Sequence, residues 1–143
     1  MARKWTALAL GAALAGAAAA PAQAAEDELS ASWAKVNVCN ASQLGARAQL
    51  AGDGSSDRMS VRFTAEWLSP DGWVPLGGRA TSPWQDAGSA EFTWNQAGWT
   101  FALNVPASEE PYHLRAVAEM QLGSGRTATH TTGTCTVGAD AGS

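Results

Sequence analysis

Between Met59 and Leu68 the chain alternates without a break. Met59, Val61, Phe63, Ala65 and Trp67 occupy one phase, and Ser60, Arg62, Thr64, Glu66 and Leu68 the other. Successive side chains of a strand point to opposite faces, so a period of two describes a strand with one face buried. A helix would need its apolar residues three and four apart, and they are not there. The run stops at Ser69-Pro70-Asp71-Gly72, a turn composition. The same period returns at Tyr112, Leu114, Ala116, Ala118, Met120 and Leu122 and ends at Gly123-Ser124-Gly125. A chain with two such strands must cover one apolar face of each, which calls for a packed sheet.

Shorter alternations complete the pattern. Ala34, Val36 and Val38 precede Cys39, and Ala46, Ala48 and Leu50 precede the loop from Gly52 to Asp57. Trp73 to Leu76 is a short extended piece closed by Gly77-Gly78. Phe92 and Trp94 share one face, and Trp99, Phe101, Leu103 and Val105 share another, with Asn95-Gln96-Ala97-Gly98 read as a hairpin loop or bulge. Thr127 to Val137 reads as one threonine-rich final strand. About seven strands separated by turns, with no amphipathic helix and no internal repeat, predict an all-β fold: a single antiparallel β-sandwich. A small closed barrel is the alternative.

The N-terminus is set aside from the fold. Arg3 and Lys4 form a positive n-region, and Trp5 to Ala20 carry no charge. Pro21 breaks the apolar stretch, and Ala22-Gln23-Ala24 has the spacing a signal peptidase accepts. A signal peptide is expected over residues 1–24, a flexible acidic segment over 25–32, the domain over 33–138 and a flexible tail over 139–143. Export gives the two cysteines their meaning, because disulfides persist outside the reducing cytosol. Cys39 ends the first strand and Cys135 lies in the last, so a bond between them would tie the two ends of the domain together.

Losing Arg3 and Lys4 takes the net charge from −4 to −6. An acidic chain repels nucleic-acid phosphate and anionic headgroups, so no nucleic acid and no stable membrane insertion after signal cleavage are expected. Catalytic and metal signatures are absent. There is no Gly-x-Ser-x-Gly elbow around Ser124, and His113 and His130 belong to no zinc motif. They read as strand-surface histidines. Asp53 to Asp57 lacks the ligand count of a calcium loop, and Asn40-Ala41-Ser42 matches a short glycosylation pattern. Glu66, Glu91 and Glu119 are scattered carboxylates that alternation alone explains. No catalytic residue, metal or cofactor is expected.

The tryptophans are the unusual resource. Trp67 follows the core phase of Val61 and Phe63, while Trp94 and Trp99 are placed inward or at a sheet edge. Trp73 and Trp84 stand in turn-rich segments, Pro70-Asp71-Gly72-Trp73 and Ser82-Pro83-Trp84. Exposed loop aromatics stack on sugars or anchor protein interfaces, so these two are the candidate ligand-binding residues. Tyr112 opens a strand after a long connection, the position of a tyrosine corner whose hydroxyl bonds back upstream.

Cys39 after the first strand, Arg58-Met59-x-Val61-Arg62-Phe63-Thr64, the pair Phe92 and Trp94, Leu103 to Pro106, Tyr112-x-x-Arg115-Ala116 and the threonine run into Cys135 form a set. On these residues the chain resembles a group of small exported immunoglobulin-like proteins of actinobacteria. It departs from the group's pattern at Ala118-Glu119-Met120, where a more basic and aromatic strand is expected. The resemblance implies an immunoglobulin or fibronectin-III-like sandwich with a terminal disulfide and implies no activity. The expected function is a secreted, non-enzymatic binding or structural module whose recognition surface lies on loops at one end. Its partner would be an unknown protein or a cell-surface glycan. A carbohydrate-binding module using Trp73 and Trp84 is the alternative, and a small secreted hydrolase a more distant one.

Overall fold

Alternation becomes sheet. The structure, a computed structural model, describes Leu29 and residues 31–138. The expected signal peptide and C-terminal tail lie outside these residues. Nine strands follow in order: β1 (Trp33–Asn40), β2 (Gln43–Ala51), β3 (Arg58–Ser69), β4 (Gly72–Pro75), β5 (Gln85–Ser89), β6 (Trp94–Ala102), β7 (Tyr112–Leu122), β8 (Arg126–Thr131) and β9 (Cys135–Val137). They form two antiparallel sheets, β1-β2-β6 and β4-β3-β7-β8, with β5 also pairing β3 and β9 also pairing β7. Because β7 takes one edge of β3, β4 and β5 share the other edge; β8 and β9 likewise share the far edge of β7. The nine strands therefore fill seven columns, three in one sheet and four in the other.

The inner phases meet in one core. Leu44, Ala46, Ala48 and Leu50 come from β2, Met59, Val61, Phe63 and Ala65 from β3, and Leu114, Ala116, Ala118, Met120 and Leu122 from β7. Small and large side chains face one another, which lets two sheets approach closely enough to exclude water.

Both edge columns of the larger sheet break beside its two central strands, and a buried hydroxyl repairs each break in the same way. The Ser82 N–H donates to the Phe63 carbonyl (2.7 Å) and the Phe63 N–H donates to Ser82 Oγ (2.9 Å). The Thr132 N–H donates to the Ala116 carbonyl (2.9 Å) and the Ala116 N–H to Thr132 Oγ1 (2.9 Å). Each hydroxyl then donates to the next carbonyl, that of Pro83 or Gly133. A central-strand N–H left without a partner inside the fold would lose its full hydration, and the hydroxyls prevent that. This is why the single threonine-rich strand expected over Thr127–Val137 is two.

Other expectations are corrected. Residues 95–98 are neither hairpin nor bulge but lie within β6, whose pairing with β2 runs unbroken from Trp94 to Ala102. Trp94 and Trp99 stand an odd number of residues apart on β6, an edge strand of the smaller sheet, so Trp99 packs against the core while Trp94 takes the edge placement, its side chain exposed like that of Phe92. The strand before β6 is β5, not Phe92–Trp94. The 25–32 segment is not wholly outside the domain either. Leu29 is fully buried, its carbonyl accepts from His130 Nε2 (2.8 Å) and from the Ser32 N–H (3.1 Å), and Ser32 Oγ accepts from the Ala51 N–H (2.8 Å). His130 is thus an anchor for that segment rather than a surface histidine.

Cys39 and Cys135 form the disulfide, with Cα atoms 5.7 Å apart. It joins β1 of one sheet to β9 of the other. In the chain-entropy model closing a loop of about a hundred residues contributes roughly 4.7 kcal/mol. At the other end Gly52 permits a close approach: a Cβ there would fall 2.1 Å from the Phe92 carbonyl oxygen and 2.4 Å from that of Ala90. The Gly52 N–H instead donates to the Thr93 carbonyl (3.0 Å).

Candidate functional site

The same tetrad spacing occurs twice, as Arg62-x-x-x-Glu66 in β3 and Arg115-x-x-x-Glu119 in β7. Residues four apart in a strand share a face, and here that face is the solvent side of the larger sheet. Antiparallel register sets Arg62 opposite Glu119, Thr64 opposite Val117 and Glu66 opposite Arg115. Each arginine therefore meets the other strand's carboxylate: Arg62 Nε donates to Glu119 Oε2 and Arg115 Nε to Glu66 Oε1, both at 2.8 Å. The Arg115–Glu66 side chains are 26% and 16% exposed, against 39% for both members of the other pair, so the first pair is the less screened by water.

The two candidate tryptophans join this arrangement. Trp73 in β4 lies beneath the Arg115 guanidinium, whose carbon stands 4.3 Å from the ring centroid. Arg115 reaches it across β3. Trp84, just before β5, lies beneath Arg62 at 4.7 Å. Cation over indole is an electrostatic attraction of about 0.5 to 2 kcal/mol, and each carboxylate fixes the guanidinium that makes it. Trp73 and Trp84 are thus placed on a sheet face rather than on loops at one end of the molecule. Neither belongs to the core cluster, unlike Trp67 and Trp99. Trp84 is 40% exposed, and Leu68, beside Trp73 in register, 42%.

The arginines and carboxylates of this face were not among the candidate binding residues. Their signal was present: two identical Arg-x-x-x-Glu spacings on the polar phases of the two longest strands. It was unreadable without knowing that those strands pair, and in which register.

Other candidate positions serve local structure. Asn40 Oδ1 accepts from the Ser42 N–H (3.0 Å) and hydroxyl (2.9 Å), which closes the β1–β2 turn. Asp53 accepts from the Ser55 N–H (2.8 Å) and from Arg126 (3.2 Å). The Ser55 hydrogen bonds, with Arg126 assisting, hold its carboxyl below the ordinary aspartate range. The Asp86 carboxyl is lowered by the Gly88 N–H and then by Arg58. His113 Nδ1 lies 3.1 Å from Thr136 Oγ1. Glu91 sits in the turn before β6. The Tyr112 ring packs edge-on against Trp67, with centroids 6.3 Å apart, and its hydroxyl bonds to no described residue. Those two rings help line an apolar pocket of about 300 Å³ between the larger sheet and the connection that follows β6, with Leu76, Leu103, Val105 and Leu114.

No known protein family and no curated protein matches this chain. The solved structures similar in part include two bacterial proteins. The sporulation control protein Spo0M from Bacillus subtilis aligns at 14% identity with a TM-score of 0.42, over 76% of this chain and 49% of that one. A putative β-galactosidase from Bacteroides fragilis aligns at 12% identity with a TM-score of 0.43, over 75% of this chain and 16% of that one. The chain therefore spans about half and about one sixth of those proteins. The disulfide fits an extracytoplasmic location. Among the described residues no helix is long and apolar enough to cross a membrane.

Proposed function

We propose that the chain is a secreted, non-enzymatic binding or structural module of immunoglobulin or fibronectin-III type, acting at or outside the cell surface. Its recognition surface is the outer face of the four-column sheet. The observation that carries this reading is the pair of tryptophans outside the core on one rigid face, each clamped by an ion-paired arginine. Aromatic and arginine side chains held rigid lose little freedom on docking, and both are enriched where interfaces concentrate their affinity.

The clamps favour a protein over a sugar. A sugar ring stacking on Trp73 or Trp84 would compete with the guanidinium already lying over it. A protein can instead pack beside the clamp and keep it. The sandwich with a terminal disulfide agrees with the resemblance to small exported actinobacterial proteins, and that membership is part of the proposal.

The test is retention of the labelled exported protein on cells of its source. Replacing Trp73 and Trp84 by alanine together should lower the bound fraction at least tenfold, while Phe92→Ala should leave it unchanged. Equal loss in both variants, or none in either, would remove the face from the reading. Quenching of tryptophan fluorescence by soluble polysaccharides, abolished by Trp84→Ala, would instead favour the carbohydrate alternative.

A further inference from the structure

We propose that the partner of this face is a second copy of the chain, docked face to face about a two-fold axis; this rests on the recognition face assigned above. Arg62 and Glu66 stand on β3, and Glu119 and Arg115 stand opposite them on β7. The four charges alternate around a rectangle whose centre is the Thr64–Val117 pair. An alternating rectangle is its own complement. When a second copy is turned over about an axis along the strands, Arg62 faces Glu119 and Glu66 faces Arg115. When it is turned over about an axis across the strands, Arg62 faces Glu66 and Glu119 faces Arg115. Opposite signs meet in both cases, which is the self-complementarity an isologous contact requires.

The remainder of the molecule does not oppose the contact. Its net charge is negative. Yet Asp57, Asp71, Glu91, Glu109 and Glu110 lie in turns and connections rather than in its strands, and the face's own charges are paired: Arg62 with Glu119, Arg115 with Glu66 and Arg58 with Asp86. The smaller sheet offers no equivalent. Its strands carry only Lys35 and Arg47 as charges, so two copies of that face would set like charges together.

Size agrees. The longest strand has 12 residues. At about 3.4 Å per residue and four columns about 4.8 Å apart, the face measures roughly 750 Å². A standard interface uses about 800 Å² per partner. Thr64 and Val117 at the centre, with Leu68, Trp73 and Trp84 around them, supply the apolar part of the contact. Two such sheets stacked face to face keep their strands nearly aligned, which both axes allow.

Sedimentation velocity of the exported chain, from about 1 to 500 µM, reads the association directly. The wild type should shift from monomer to dimer within that range and shift back as salt rises. Val117→Lys places a lysine of each copy at the centre, opposed for an axis across the strands and one strand spacing (~4.8 Å) apart for an axis along them, and should weaken association at least tenfold, with the unfolding midpoint unchanged. The quadruple exchange Arg62→Glu, Glu66→Arg, Arg115→Glu and Glu119→Arg inverts every sign of the rectangle and keeps both of its ion pairs, while giving up the stacks on Trp73 and Trp84. It should still self-associate but fail to form mixed dimers with the wild type. A wild type that stays monomeric throughout, a Val117→Lys variant that dimerises as well, or free formation of mixed dimers would each overturn the inference. A monomeric wild type whose cell retention still depends on Trp73 and Trp84 would refute this inference and leave the proposed function standing.

Discussion

The outer faces of the two sheets cover the same core yet are built from different chemistry. On the smaller sheet the ladder is mostly neutral: Arg47 donates to Gln96 Oε1 (3.2 Å), Gln96 Nε2 donates to Gln49 Oε1 (2.8 Å), and the Lys35 ammonium lies 4.2 Å from the Trp33 centroid. The larger sheet's outer face carries three arginine–carboxylate pairs, Arg62–Glu119, Arg115–Glu66 and Arg58–Asp86, and two arginine–tryptophan stacks. Folding constrains only the inner phase of a half-buried strand, so the outer phase is free to differ. The contrast therefore locates the special chemistry on one side of the molecule, the side proposed for recognition.

Substitutions on the inner phase should harm both faces alike and set the upper limit of the comparison. Phe63→Ala removes the largest fully buried side chain and should lower unfolding free energy by about 3 to 5 kcal/mol in a urea titration. Replacing both Cys39 and Cys135 by serine unties one sheet from the other. It should lower stability by about 2 to 5 kcal/mol, read as a lower thermal midpoint than that of the oxidised protein. Thr132→Val keeps the shape but leaves the Ala116 N–H without its acceptor, a loss of about 1 to 3 kcal/mol. Amide hydrogen exchange at Ala116 should accelerate most.

Outer-face substitutions separate the two sheets. Arg115→Ala loses both its carboxylate pair and its stack on Trp73, so about 1 to 2 kcal/mol is expected. Gln96→Ala on the smaller sheet should stay within about 0.5 kcal/mol. Equal effects would erase the distinction between the faces. The smallest expected effect is the acid response of the β2–β3 loop. The folded-state pKa of Asp53 is depressed, so its contribution is complete above the unfolded aspartate value and is lost as pH falls through the folded one. Asp53→Asn should flatten that part of the stability profile.

Much of this was legible in the residues themselves. The alternation at Met59–Leu68 and Tyr112–Leu122 marked the two central strands and their inward sides, because strand periodicity is a local property. Cys39 and Cys135 declared their partnership by being the chain's only two cysteines, one ending the first strand and the other in the last. Trp94 stayed undecided between core and edge, since an exposed aromatic and a buried one look the same until a strand's full length is known. Leu29 was missed because one leucine in an acidic stretch has no period to read.

What the sequence settled alone was the all-β character, the inner phases and the disulfide pair. Tertiary structure decided the rest. Register brought two distant Arg-x-x-x-Glu segments together so that each pairs the other's charges. The edge columns broke at Ser82 and Thr132, where a hydroxyl replaces the ladder. Trp73 and Trp84 came onto one face from separate turns. Those outcomes depend on contacts between residues far apart along the chain, and local spacing carries no record of which strands become neighbours.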